Sequence, residues 1–412
     1  MHKQIFSNSA AEAKHRLGFL GAYFDYYVDW MVSNGYSDST IRINIERVTF
    51  FGRYIREKNI AISQLGGSSG LELLKLYRRD CKSKGLEYRG LGVKRYLQVL
   101  SKAGVIENLP VKSSLFLPLT KRYVTFLEKN GNLAEGTIHR NMDWVEKFLR
   151  FLEGNNIPDT TFEIADVDNF IEFESQRLKH RPHSSGVCAL KSFIRFLYNT
   201  GQIATDFSCL ISTPRRYKLQ SLPAVLTWPE VMKVLKSIDR STQTGVRNYA
   251  IMLFLTAYGL RAGEVAQMKL DNIDWRKETI HIVQRKMGKD LWLPLIPEVG
   301  KAVLEYLKHC RPPCKHRELF ISAKAPFKPI GTNSISHVVR QHIQIAGFNP
   351  SQYGAHMIRH SFATHLIRQG ASLKEIGDIL GHRSLESTHI YTKTAADNLR
   401  EVALEVPEIK RK

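Results

Sequence analysis

The sequence predicts a mainly α-helical protein with a small β-hairpin or sheet in its C-terminal domain and two related helical modules ahead of it. Apolar side chains recur at helical spacing along most of the chain, the stripe that amphipathic helices bury. The N-terminal half repeats itself. Runs of β-forming residues are confined to 279–283 and 291–295, on either side of Gly288.

The repeat is read residue against residue. Tyr27, Val28, Asn34 and Gly35 align with Tyr123, Val124, Asn130 and Gly131, and after a one-residue slip Thr40, Ile41 and Asn44 meet Thr137, Ile138 and Asn141. The match runs on from Phe51 and Ile60 against Phe148 and Ile157, and from Lys94 and Gly104 against Lys191 and Gly201. Each copy predicts about four amphipathic helices. In the second, Tyr123, Phe126 and Leu127 mark one apolar face, Val145, Phe148, Leu149 and Leu152 another, and Leu190, Phe193, Ile194 and Leu197 a third. The expected domains are therefore 1–110, the first copy, and 111–213, the second, followed by a basic linker at 214–223 and a C-terminal domain at 224–412.

Charge narrows the class of partner. Lys and Arg total 60 against 39 Asp and Glu, a formal net charge of +21 over 412 residues, which points to a polyanion. A membrane surface is the competing partner. Against it, no unbroken apolar run approaches the length of a bilayer span, and Met1, His2, Lys3 and Gln4 do not open a signal peptide. A soluble, cytoplasmic chain is expected. The five cysteines follow no disulfide pattern, as in a reducing compartment. His309, Cys310, Cys314 and His316 do not have the spacing of common zinc fingers, and Pro312 and Pro313 mark a surface turn there, so no metal is expected.

Cations lie between the apolar stripes of the modules: Arg42 and Arg47 in the first, His139, Arg140, Lys147, Lys191 and Arg195 in the second. They are read either as followers of a phosphate backbone or as an ordinary solvated face. Arg215 and Arg216 in the linker carry the same two readings.

In the C-terminal domain, Thr227 and Glu230 form a capping box with Pro229 in the first turn. The strongly apolar stretch 248–257 is a buried helix that delivers Tyr258, Gly259, Leu260 and Arg261 at its end. Lys286 and Lys289 sit in the turn between the two β-runs. A helix is expected at 334–345. From His356, the residues Ile358, Phe362 and Leu366 recur every fourth position, and His356 and Arg359 share a face beside that stripe. Gly370 closes this helix, Ser372 and Glu375 box the start of the next, and it stops at Gly381 and His382. Ser384 can cap a further short helix carrying Tyr391, and 398–406 is a candidate last helix before a basic tail.

His356, Arg359, His360, Ser361 and His365, then Leu380, Gly381 and His382, then Tyr391, form a pattern that resembles the C-terminal signature of tyrosine recombinases, the phage integrase family. Tyr258, Gly259, Leu260, Arg261 and Glu264 resemble its first arginine motif. Lys286, with Leu293, Pro294 and Leu295 behind it, resembles its hairpin lysine. The resemblance covers about 222–394. It implies a tyrosine-recombinase catalytic domain there; of the two helical modules ahead of it, both expected to be SAM-like, the second resembles the family's core-binding domain and the first is additional, its role open.

Metal-free phosphodiester transfer needs a nucleophile, charge against a crowded anionic transition state, and an acid for the leaving oxygen. Tyr391 offers a phenol for a phosphotyrosyl ester. Arg261 and Arg359 offer planar forks, and His356 and His382 hydrogen bonds or a proton. Lys286 is assigned the acid role with Lys289 as the alternative, and Glu264 is expected to orient an arginine or histidine.

The implied activity is site-specific recombination through a 3′-phosphotyrosyl intermediate and a Holliday junction, without ATP or other cofactor, for a mobile element in a prokaryotic cell. The implied partners are double-stranded DNA sites and three further protomers of a tetramer, identical copies or sister recombinases, linked through a C-terminal segment at 395–412. A type IB topoisomerase and a catalytically inactive DNA-binding accessory protein are the two competing readings.

Overall fold

The computed structural model describes residues 15–16, 21–86, 92–108, 117–131, 133, 135–177, 184–213, 224–284, 289–350 and 353–381. The chain divides into two compact units, one comprising Met1–Leu17, Gly21–Glu46 and Ser221–Lys412, the other Gly18–Leu20 and Arg47–Gln220.

The helices of the N-terminal half follow the repeat. The first copy contains α1 (Phe24–Ser33), α2 (Asp38–Glu57), α3 (Gly67–Ser83) and α4 (Val93–Lys102), and the second contains α5 (Leu117–Gly131), α6 (Glu135–Gly154), α7 (Ile164–Arg177) and α8 (Ser184–Asn199). Even the helix ends agree. Asn59 after α2 and Asn156 after α6 adopt φ of 52° and 57°, and Gly104 and Gly201 adopt 72° and 68°. Asparagine and glycine tolerate this left-handed geometry, which lets a following N–H reach back to the last turn. The Ile60 N–H bonds Ile55 O at 3.0 Å and the Ile157 N–H bonds Leu152 O at 2.9 Å.

In the second module, Tyr123, Phe148, Phe170 and Phe193 are at most 1% exposed and form the centre of its core. Tyr123 meets Phe193 edge-on at 5.2 Å, and Phe148 meets Phe170 at 5.3 Å. Such aromatic contacts add to the area they bury. Burial pushes the Tyr123 phenol up to about 12, so it stays neutral and packs.

The other unit holds α9 (Trp228–Lys236), α10 (Gln243–Tyr258), α11 (Ala262–Gln267), a sheet, α12 (Pro297–His309), α13 (Thr332–Ile345), α14 (Ala355–Arg368) and α15 (Leu373–Leu380). The sheet order is β1 (Ile273–Asp274), β2 (Thr279–Gln284), β3 (Lys289–Pro294), all antiparallel. α10 is buried on nearly every side. Ile251, Met252, Phe254 and Leu255 are all fully enclosed, as expected for a rigid mount. It is longer than the apolar stretch alone predicts, because Thr242 caps it by accepting from the Gly245 N–H at 3.0 Å. The predicted start of α9 is present as well, with the Thr227 N–H donating to Glu230 Oε2 at 2.7 Å. Among the described residues, no helix is long and apolar enough to cross a membrane, and no cluster of metal-ligating side chains occurs, the Cys310 and Cys314 region included.

Candidate active site

The site is built where α10 stops. Gly259 takes φ of +61°, and a Cβ there would lie 2.5 Å from Phe362 Cδ1 and 2.7 Å from Leu380 Cδ2. Only glycine lets α14 and α15 approach the main chain this closely. Tyr258 fastens the same corner to the sheet: its hydroxyl donates to Pro294 O and accepts from the Ile296 N–H, both at 2.9 Å.

Arg261 follows at the N-terminal cap position of α11 rather than at the end of α10. Glu264 holds it twice. One carboxylate oxygen accepts from the Arg261 N–H at 2.8 Å, the other from Nη1 at 2.7 Å. The Glu264 side chain is 7% accessible and that of Arg261 25%, so an enclosed carboxylate orients a guanidinium that still reaches solvent.

Arg359 lies deeper, at 3% exposure. A guanidinium out of water is costly unless hydrogen-bonded. Nη1 donates to Gly259 O at 2.8 Å and Nη2 to Leu380 O at 2.7 Å. One side chain therefore joins the corner preceding Arg261 to the corner preceding His382. His356, three residues earlier, is exposed. Helical spacing puts the two on one face, and tertiary neighbours cover only one of them.

Other members of the α14 motif secure the helix. Ser361 Oγ accepts from the Leu226 N–H at 2.8 Å, and His365 stacks on Trp228 with ring centres 4.2 Å apart. Burial, with the nearby His356 and Arg359 charges, pushes His360 down to about 4, so it is neutral near pH 7. Gly370, at φ +85°, closes the helix as predicted, and Ser372 Oγ accepts from the Glu375 N–H at 3.2 Å to start α15.

The hairpin and the last motif are described in part. Gln284 and Lys289 are paired across β2 and β3, and Lys286, between them in sequence, lies outside the described residues, as does the side chain of Lys289. His382, Tyr391 and the segment 395–412 also lie outside them. Of the residues expected to converge, Arg261, Glu264, His356 and Arg359 are described, and Arg261 and Arg359 are brought to one corner of the fold.

The cations of the second module differ in surroundings. Arg140 is exposed. Lys147 pairs with Asp143 at 2.5 Å and lies over the Trp144 ring at 5.5 Å. Lys191 is partly buried, and Arg195 stands 4.0 Å from Asp206. Arg215 and Arg216 lie outside the described residues. Sequence reasoning missed Gln284, a buried amide against Gly381, because nothing local marks it.

Comparison with known proteins matches the same region. The profile of the phage integrase family covers residues 224–398. The chain is 32% identical over 395 residues, 95% of each chain, to the Sinorhizobium fredii protein y4rA, named as an integrase/recombinase. It is 28% identical over 290 residues, 68% of this chain and 93% of the relative, to tyrosine recombinase XerC of Bacillus pumilus. In fold it is similar to a lambda integrase dimer bound to a COC′ core site, with a TM-score of 0.52 at 17% identity over 79% of this chain and 91% of the other. It is likewise similar to XerH site-specific recombinase bound to palindromic difH, with a TM-score of 0.51 at 23% identity over 69% of this chain and 83% of the other.

Proposed function

Because the chain belongs to the phage integrase family, the tyrosine recombinases, we propose that it is a site-specific DNA recombinase that serves a mobile genetic element. The Tyr391 phenolate oxygen attacks a DNA phosphorus, a 3′-phosphotyrosyl ester forms, and the bond to the 5′ oxygen breaks. Lys286, or Lys289 in its place, protonates the departing 5′ oxygen. Arg261 and Arg359 hold the non-bridging oxygens, and His356 and His382 donate hydrogen bonds there or exchange the proton lost by the phenol. Attack by the free 5′ hydroxyl of a partner strand reverses the chemistry, so bond energy is kept in the ester and no ATP is consumed.

The observation that carries this reading is the double anchor of Arg359 on Gly259 O and Leu380 O. It supports a shared phosphate site because it ties together the segments that precede Arg261 and His382 in the chain. In this reading 1–110 and 111–213 are separate helical domains, 214–223 a basic linker and 224–412 the catalytic domain. Arg140, Lys147, Lys191, Arg195, Arg215 and Arg216 follow the DNA backbone. Recombination proceeds through a Holliday junction in a tetramer on DNA, of identical chains or with sister recombinases, joined through 395–412.

A nicked duplex carrying the sequence that the protein selects from a random pool tests this. The expected product is a protein–DNA adduct stable to detergent and removed by protease. Its absence would leave a DNA-binding accessory protein. Relaxation of any supercoiled plasmid by the monomer, without that sequence, would favour a topoisomerase.

A further inference from the structure

Gln284 closes β2 and is 4% exposed. Its Nε2 is buried without a hydrogen-bond partner among the described residues. The amide lies against Gly381, where a Cβ would fall 2.7 Å from Gln284 Cδ and closer still to its oxygen and nitrogen. Gly381 has φ of +61°, so the backbone geometry and the amide together exclude a side chain there. The residue before it, Leu380, supplies the carbonyl that Arg359 Nη2 grips. The sheet thus reaches the turn that holds the buried arginine through one side chain.

Packing alone does not account for that side chain. An apolar residue of the same shape fills the space without burying an unpaired donor, and an unpaired donor destabilises the folded state. From the recombinase reading above, we propose that Gln284 is a positioning residue for the cleavage step: its carboxamide sets the Leu380–Gly381 turn, and through it the Arg359 guanidinium. The Nε2 donor finds its acceptor only once DNA is bound. It then fixes the turn, and with it the hydrogen bond from Arg359 to Leu380 O, in the geometry that suits a phosphate. Without the amide the arginine still binds but is misplaced, and small misplacements of a charge-stabilising group cost rate more than affinity.

The test compares the full-length wild type with Gln284→Met, which keeps the shape without the amide, and Gln284→Ala. The DNA is the nicked duplex described above, with either a normal scissile phosphate or a methylphosphonate, which lacks the anionic oxygen a guanidinium would neutralise. On the phosphate, Gln284→Met should cleave slower in a single turnover by on the order of tenfold to a hundredfold. Its DNA dissociation constant should stay within about twofold of wild type, and its melting temperature should be equal or higher. On the methylphosphonate, the difference between Gln284→Met and wild type should shrink to about twofold or less, because the contribution of Arg359 is then no longer needed.

Wild-type cleavage rates from Gln284→Met would overturn the proposal, as would an equal deficit on both substrates, the mark of general structural damage. Gln284→Ala is expected to show the same split between substrates even if it melts lower. Failure of the wild type itself to cleave would instead sink the recombinase reading, and this proposal with it.

Discussion

Arg359 Nη2 donates to the Leu380 carbonyl at 2.7 Å, so the end of α15 is fastened to the second turn of α14 by a side chain only 3% exposed. The other arm of the fork reaches Gly259 O at 2.8 Å. Lysine has neither the plane nor the span to replace both bonds. Arg359→Lys should therefore lower stability by about 1–3 kcal/mol in denaturant unfolding. In the proposed reaction it should slow cleavage about 100-fold to 1,000-fold. Wild-type values of both would contradict the double anchor.

Gly259→Ala should disturb the same corner from the main-chain side. The left-handed φ costs roughly 1–2 kcal/mol for a residue with a Cβ, and Phe362 and Leu380 must also give way. Gly347, at φ +85° with nothing among the described residues within 4 Å of where a Cβ would lie, serves as the control. Gly347→Ala should lose only the conformational part, and thermal unfolding of the two variants measures the difference. Equal losses would mean that the packing around Gly259 is looser than described.

Glu264→Gln keeps the shape of the residue that holds Arg261 but removes its charge. The single amide oxygen can keep the bond from the Arg261 N–H, while the NH2 that replaces the other oxygen is a donor and cannot accept from Nη1. The expected stability loss is about 1 kcal/mol. Single-turnover cleavage should fall about tenfold or more with DNA affinity little changed, since the Arg261 cation is kept and its orientation is what the substitution alters. A drop in affinity with an intact rate would assign Glu264 to DNA binding.

His360 sets a pH dependence of folding. Its pKa is pushed down to about 4 in the fold, against roughly 6.5 in the unfolded chain. Above 6.5 both states are neutral there and the stability is fully present. As pH falls from 6.5 towards 4, the unfolded state takes a proton that the folded state refuses, and stability drops. The loss is at most about 3 kcal/mol, and it is complete below the folded pKa. Urea unfolding of wild type and His360→Gln across that range should give a shallower slope for the variant. Parallel slopes would place the titration elsewhere, for example on His342, which burial also pushes down.

Much of this fold was legible because it is written locally. The pairings of Thr227 with Glu230 and of Ser372 with Glu375, and the glycines after α10, α14 and α15, are signals within a few residues of the geometry they produce. The repeat was legible for the same reason, down to the matching left-handed Asn59 and Asn156. The environment of Arg359 was not, because its two acceptors come from α10 and α15, and helical spacing says only which face it shares with His356. Gln284 was invisible as well, since its meaning lies in contact with Gly381, far along the chain. The cations of the second module were legible as charge but not as free charge: Lys147 and Arg195 stand beside Asp143 and Asp206.

The central claim is that Tyr391 attacks DNA. Protease digestion of the covalent adduct formed on the nicked duplex, followed by mass spectrometry of the nucleotide-bearing peptide, tests it most directly. The account predicts a single modified peptide with the mass of the nucleotide on Tyr391, and no adduct from Tyr391→Phe although that variant still binds the duplex. An adduct on another residue, or one that persists in Tyr391→Phe, would contradict it.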